Sequence, residues 1–257
     1  MKGIEIFFKT LIKDKVDHIF SPPNSFGPEV DSIFDKKFKN LVKNVISGNE
    51  QGASHMADGY ARVTGKPGVV VCDSDTSGTN TITGLQTANM DSAPIVVFVC
   101  HFSENDKLSN VFNQIDHIGI SRSTTKHNFL VENISELSRI IREALYLSVT
   151  GRPGAILVDI PKHVLFSDYK FNFPKIEKVS GYSIPKEAKI SDINKAASLI
   201  MKAKRPIVFG GGGIVISEAT KELQNFANRL KIPVTLTLMG LGLSLIHISE
   251  PTRHASI

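Results

Sequence analysis

The sequence predicts an α/β protein: a mostly parallel sheet flanked by helices, followed by the opening of a second βαβ layer. Two observations carry that expectation. Short β-branched runs alternate with stretches of helical periodicity. That alternation implies a sheet covered on both faces by helices. A polar, proline-bearing stretch then separates a first series of elements from a second. At 257 residues the chain holds one large or two ordinary domains.

Taken in order, residues 4–13 have a helical pattern and lead into a strand at His18-Ile19-Phe20. A helix over 28–35 precedes the strand Leu41-Val42-Lys43-Asn44-Val45-Ile46. Ala53, Met56, Ala57 and Tyr60 then recur at i, i+3, i+4 and i+7, one face of a helix over 50–64. The strand Gly68-Val69-Val70-Val71-Cys72, a helix over 78–90 and a strand over 94–99 follow. A helix over 133–149 and the strand Ala155-Ile156-Leu157-Val158-Asp159 complete the series. From residue 166 the chain turns polar, with Pro174 and Pro185, so 1–170 is expected as the first domain and 171–187 as a linker.

The second domain is expected over 188–242. Asp192 to Met201 reads as an amphipathic helix, and Pro206-Ile207-Val208-Phe209 as a strand running into Gly210-Gly211-Gly212-Gly213. A helix over 217–230 and a strand at Pro233-Val234-Thr235-Leu236 come next. Four glycines permit a backbone to approach a phosphate closely, but a plain tight turn explains them equally. Val215 stands where G-x-G-x-x-G needs its last glycine. The tail Leu243-Ser244-Leu245-Ile246-His247-Ile248-Ser249-Glu250-Pro251-Thr252-Arg253 looks like a translated sequencing adapter. Residues 243–257 are therefore expected to be non-native, and His247 and His254 are not counted as ligands; a genuine extension is the alternative.

Composition narrows the function classes. Apolar residues make up 41% and charged residues 21%, a soluble globular balance. The formal charge of +5 comes from scattered lysines such as Lys9, Lys13, Lys36 and Lys37. No aromatic-interleaved basic stripe accompanies them, which argues against nucleic-acid binding. Cys72 and Cys100 each end an apolar run and read as buried thiols in neighbouring strands rather than a disulfide or metal pair. Charges interrupt the N-terminus at once, and no run approaches the ~18 apolar residues of a membrane span. The expected location is the cytoplasm.

Glu50 is the leading candidate for chemistry. It stands where a strand gives way to a small-residue helix, the edge at which open α/β sheets build their sites. A first-turn acid is also what free N–H groups and the helix dipole favour, and spacing alone leaves both readings open.

The residues around it resemble the thiamine diphosphate-dependent enzymes of the acetolactate synthase type. The resemblance covers nearly all of 1–242 and rests on ordered blocks. These are Glu50-Gln51-Gly52-Ala53 with Ala57-Asp58-Gly59-Tyr60-Ala61-Arg62, Thr79-Asn80 with Thr83-Gly84, and Met90-Asp91-Ser92-Ala93-Pro94. Thr125-Lys126-His127 and Gly151-Arg152-Pro153-Gly154-Ala155 through Asp159-Ile160-Pro161-Lys162 add to them. The resemblance implies a thiamine diphosphate-binding pyrimidine domain, then the start of a Rossmann-like central domain. A pyrophosphate-binding domain, whose Gly-Asp-Gly…Asn motif holds Mg2+ and the diphosphate, is implied as well. No Gly-Asp-Gly occurs, so the chain is expected to be an N-terminal fragment, inactive alone, with no metal ligand of its own.

By this resemblance Glu50 is catalytic. It would hydrogen-bond the aminopyrimidine ring nitrogen and favour the imino tautomer, whose exocyclic nitrogen takes the thiazolium proton intramolecularly. An apolar pocket around it would suit the sharing of a proton. The resemblance further assigns Pro23, Asn24, Asp75, Thr76, Asn80 and Asn113 to the cofactor, and His101, Phe112 and Gln114 to the substrate. Several depart from the family's pattern: Asn49 replaces His, Ser74-Asp75-Thr76-Ser77-Gly78 replaces Ser-Gly-Pro-Gly-Ala, and Pro23-Asn24-Ser25 replaces Pro-Gly-Gly. Cys100-His101 stands for Gly-Gln, and Phe112-Asn113-Gln114 for Phe-Gln-Glu. Asp75 reads equally as a helix cap. His101 and His117 read as loop residues, and Phe112 as core.

The implied activity is decarboxylation of a 2-keto acid with carboligation to a second carbonyl. A decarboxylase or carboligase of other substrate, and a non-catalytic binding subunit, are the alternatives. FAD, which acetolactate synthases carry at the central domain, is a further implication not shared by related enzymes. The implied partner is a second copy of the chain, in a homodimer or homotetramer.

Overall fold

The computed structural model describes residues 1–23, 25–73, 76–100, 115–176, 179–185 and 187–243. The chain divides into two units, Met1–Ile184 and Pro185–Ile257. The division falls within the stretch 171–187.

The first unit opens with α1 (Gly3–Lys13), β1 (His18–Ser21), α2 (Gly27–Lys37), β2 (Lys43–Ile46) and α3 (Glu50–Thr64). Next come β3 (Gly68–Asp73), the single turn α4 (Thr76–Thr79), α5 (Ile82–Asp91) and β4 (Ile95–Cys100). It closes with α6 (His117–Ser121), β5 (His127–Leu130), α7 (Ile134–Val149), β6 (Ile156–Ile160) and α8 (Lys162–Phe166). All six strands are parallel, in the order β2-β1-β3-β4-β6-β5. After β2 the chain crosses to the other side of β1, so the order reverses between β1 and β3. Open α/β sheets bind their ligands at the carboxyl ends of the strands flanking such a reversal.

Strand alternation sorts the core into two layers. Val69, Val71, Val96, Phe98, Ile156 and Val158 face α1, α2 and α7, where Phe7 meets Phe98 edge-on at 5.0 Å. Val70, Val97, Val99 and Leu157 face Ala53, Ala57 and Ala61 of α3. The face of α3 turned to the sheet is thus alanine-lined, and Met56, expected on it, is 39% exposed. Alanines let the helix lie close: a Cβ on Gly68 would come 2.1 Å from the Ala57 carbonyl oxygen. Gly65, at φ +69°, ends α3 in the left-handed conformation that glycine adopts without penalty.

Two differences from the expected elements have local causes. The helix expected over 78–90 is broken, because Thr81 Oγ1 donates to the Gly78 carbonyl at 2.7 Å and closes a turn between α4 and α5. The strand β5 was not anticipated: its four residues lie at the sheet edge, partly exposed, with no apolar run to mark them.

Several family-like blocks turn out to be scaffold. Arg62 Nε lies 2.9 Å from Asp58 and another of its nitrogens 2.9 Å from Asp91, tying α3 to the end of α5. Arg152 donates to Ser92 Oγ at 2.8 Å and to the Met90 carbonyl at 3.0 Å. Lys126 Nζ caps α7, donating to the carbonyls of Leu147 and Thr150 at 2.6 and 2.7 Å.

The second unit holds α9 (Ile190–Lys202), β7 (Val208–Gly210), α10 (Gly212–Ile216), α11 (Thr220–Leu230), β8 (Val234–Leu236) and a 3-10 turn, Leu238–Leu243. The strands β7 and β8 pair in parallel. The glycine run packs against its own chain: a Cβ on Gly212 would sit 2.9 Å from that of Met239, and one on Gly240 2.6 Å from the Gly210 carbonyl oxygen. None of the residues of α9 is buried despite its amphipathic pattern.

Candidate active site

Glu50 opens α3 immediately beyond the carboxyl end of β2. The turn that delivers it is built from its neighbours. Ser47 N–H donates to the Ser21 carbonyl at 2.9 Å, extending the β1–β2 pairing by one residue. Ser47 Oγ donates to the Asn49 carbonyl at 2.6 Å. Asn49 caps the helix, its Oδ1 accepting from Gly52 N–H at 2.7 Å. Asparagine is among the strongest capping residues, so the replacement of the family's histidine here has a structural account. Ser54 Oγ returns to the Glu50 carbonyl at 2.8 Å.

Glu50 is half-buried among the described residues. Asn80 Nδ2, in the turn between α4 and α5, donates to Glu50 Oε2 at 2.9 Å. Among the described residues no hydrogen-bond partner meets Oε1. The carboxylate thus meets, at the carboxyl ends of the strands, the turn that follows β3.

The floor beneath is apolar and carries two thiols. Cys72 and Cys100 are both free and fully buried, on adjacent strands. Their side chains belong to opposite faces of the sheet, Cys72 with Val70 and Cys100 with Phe98, which rules out a bond between them. Burial pushes both thiols well above their ordinary range, and the Glu50 carboxylate adds to the effect at Cys72. Thiols so protonated are poor nucleophiles.

Of the other expected site residues, Pro23 is exposed just beyond β1, and Thr76 opens α4 just beyond β3. With Glu50 and Asn80 they come from the ends of three adjacent strands, β2, β1 and β3. Asn24, Asp75, His101, Phe112, Asn113 and Gln114 lie outside the described residues. His117 is corrected: it is not a loop residue but the first of α6, 2% exposed, and its ring lies where a Cβ on Gly78 would clash at 2.5 Å. The contact between Gly84 and Ser54 was also not foreseen. A Cβ on Gly84 would come 2.2 Å from that of Ser54. The only trace of it in the sequence is a pair of small residues, each one helical turn beyond a site residue. Among the described residues no group of three His, Cys, Asp or Glu side chains could hold a metal ion, and no helix is long and apolar enough to cross a membrane.

Comparison with known proteins identifies the chain's relatives. Residues 1–120 match the thiamine pyrophosphate enzyme N-terminal TPP binding domain, and residues 193–247 the central domain of the same enzymes. The second match reaches into the stretch 243–257. The acetolactate synthase large subunit of Buchnera aphidicola subsp. Schizaphis graminum is 41% identical over 245 residues, 94% of this chain and 42% of that protein. That of Haemophilus influenzae is 37% identical over 245 residues, again 94% and 42%. The acetolactate synthase of Mycobacterium bovis is 37% identical over 243 residues, 94% of this chain and 39% of that protein. The chain spans about two fifths of the length of the curated relatives it matches.

Proposed function

Because the chain belongs to the thiamine pyrophosphate enzymes, as an acetolactate synthase-like N-terminal part, we propose that it supplies the pyrimidine-binding half of an active site for 2-keto acids. The reaction is decarboxylation followed by carboligation to a second carbonyl. One observation supports this above the others: a carboxylate at the topological switch, held on Oε2 by Asn80 and, among the described residues, with no partner on Oε1.

The residues present fit the aminopyrimidine of thiamine diphosphate. A ring nitrogen needs a carboxyl oxygen that is not already committed, and among the described residues Oε1 of Glu50 is such an atom. When bound, the cofactor supplies the nucleophilic carbon that attacks the keto group and accepts the electrons released as carbon dioxide leaves. Glu50 holds a proton between Oε1 and the ring nitrogen, and Asn80 keeps the carboxylate from turning away. Pro23 and Thr76, which follow the neighbouring strands β1 and β3, are proposed as further cofactor contacts.

Mg2+ and the diphosphate are assigned to a pyrophosphate-binding domain, and no residue of this chain is assigned to them. That domain would come from a second subunit, making the working enzyme a homodimer or homotetramer in the cytoplasm. FAD at the central domain is a further proposal for the intact protein; it does not rest on the glycine run, whose Gly212 and Gly240 pack against their own chain. The test is Glu50→Gln in the full-length protein. Turnover should fall by about 10²–10⁴ with an unchanged thermal midpoint; near-normal turnover would sink the assignment.

A further inference from the structure

We propose that Asn80 is a positioning residue acting through Glu50, rather than a residue that touches the cofactor. The inference rests on the functional reading above and deepens it. A glutamate side chain turns about three single bonds, and a half-exposed one samples several orientations. Among the described residues one oxygen of Glu50 is tethered, and the tether comes from thirty positions along the chain, Nδ2 of Asn80 at 2.9 Å. Holding Oε2 in this way fixes where Oε1 points.

Both ends of the tether are anchored. On the Glu50 side, the Asn49 cap and the Ser54 Oγ bond to the Glu50 carbonyl fix the first turn of α3. On the Asn80 side, Thr81 is fully buried and its Oγ1 bond to the Gly78 carbonyl sets the turn that presents Asn80. One turn further along each helix, Gly84 and Ser54 meet with no room even for a methyl group. The starts of α3 and α5 are therefore held in register by a contact directly below the Asn80–Glu50 hydrogen bond. Thr79-Asn80 with Thr83-Gly84 is one device: an amide that orients the carboxylate and a glycine that lets its helix come close enough.

A double-mutant cycle in the full-length protein tests this, using Asn80→Ala, Glu50→Gln and the two combined. Three quantities are read: deuterium exchange of the cofactor's thiazolium proton, cofactor affinity by equilibrium titration, and the thermal midpoint. Asn80→Ala should slow exchange about tenfold, the worth of a hydrogen bond to a charged group, while affinity stays within about threefold. The double variant should match Glu50→Gln alone, because a residue that acts through Glu50 has no effect once Glu50 is gone. Additive losses would overturn the proposal in favour of direct cofactor contact. Parallel losses of affinity and melting temperature would overturn it in favour of a merely structural role. In the ligand-free protein, Glu50→Gln should also move the Asn80 side-chain amide signals in NMR spectra, and their indifference would count against it. If Glu50→Gln itself exchanges at the normal rate, the functional reading fails; if it collapses while Asn80→Ala is normal, only the positioning inference fails.

Discussion

The two ends of α3 treat their acidic and polar groups in opposite ways. At the C-terminal end, the Asp17 carboxylate is met by Tyr60 Oη, by Lys66 Nζ at 2.7 Å and by His18 Nδ1 at 3.1 Å. Beside it Arg62 is shared between Asp58 and Asp91. At the N-terminal end, among the described residues, Glu50 receives a single hydrogen bond, on Oε2 from Asn80. The same helix thus adjoins a dense ionic network at the amino edge of the sheet and, among the described residues, an acid bonded on one oxygen at the carboxyl edge. Satisfied acids lock elements together; an acid with an open oxygen retains the capacity to bind or pass a proton. Substitutions at one end should register in activity, and at the other in stability.

Gly84→Ala is expected to have the largest effect on that division, because it strikes the support beneath Glu50. Its new methyl would lie 2.2 Å from the Ser54 Cβ, which sits on a short, stiff side chain, so α5 must retreat from α3. Overpacking of this kind costs about 1–3 kcal/mol. A misplacement of about 1 Å at the site can cost up to roughly a hundredfold in rate, so turnover should fall between about tenfold and a hundredfold. Steady-state kinetics alongside thermal melting would check it. A fall in stability with normal turnover would show that Glu50 does not depend on the packing of α5.

Arg62→Ala should show the reverse pattern with a smaller magnitude. It leaves Asp58, which is buried, without its partner and frees Asp91 at the end of α5. The expected cost is about 1–2 kcal/mol, or roughly 2–8 °C in the thermal midpoint. Turnover per folded molecule should stay within about twofold of normal. If turnover drops as it does in Gly84→Ala, the two ends of α3 are coupled, and the division between them is wrong.

How much of this was readable in the sequence depends on the range of the interaction. The bounds of α3 are local and were legible: the strand-to-helix junction at Glu50 and the chain reversal at Gly65 leave residue-level marks. β5 left none, since an edge strand of four partly exposed residues needs no apolar run. The placing of β6 between β4 and β5 is a long-range pairing, invisible to periodicity. Within the site, Glu50 and Asn80 were each identified by their blocks, but the bond between them joins two separate loops and appears only with the fold. His117 was misread because burial of a polar ring depends on its distant neighbour Gly78, not on its own flanking residues. Asp58, Arg62 and Asp91 were visible as motif residues, yet nothing in the spacing distinguished scaffold from chemistry.

The finest test lies in the acid sensitivity of Asp17. Hydrogen bonds from Lys66 first, and then from Tyr60, hold its carboxyl well below the usual carboxylate range, against the opposing effect of burial. A group whose folded value is depressed contributes stability that is complete above its unfolded value, about 3.9, and lost as pH falls toward the folded one. The side chain is 47% exposed, so solvent screening reduces the contribution to about 0.5–1 kcal/mol. Asp17→Asn should therefore lower stability slightly at pH 7, and the gap to the native protein should narrow as both are taken below about pH 4. Tyr60 offers an independent reading. Burial and the Asp17 carboxylate push its phenol up to about 12, so that its contribution is present below about pH 10 and lost as pH rises through 12. In Asp17→Asn the Tyr60 phenolate absorbance should appear at lower pH, nearer its ordinary value, while turnover at pH 7 is unchanged. A stability gap that stays constant down to pH 3 would mean that the amino-edge cluster is held by packing rather than charge. The contrast between the two ends of α3 would then rest on Glu50 alone.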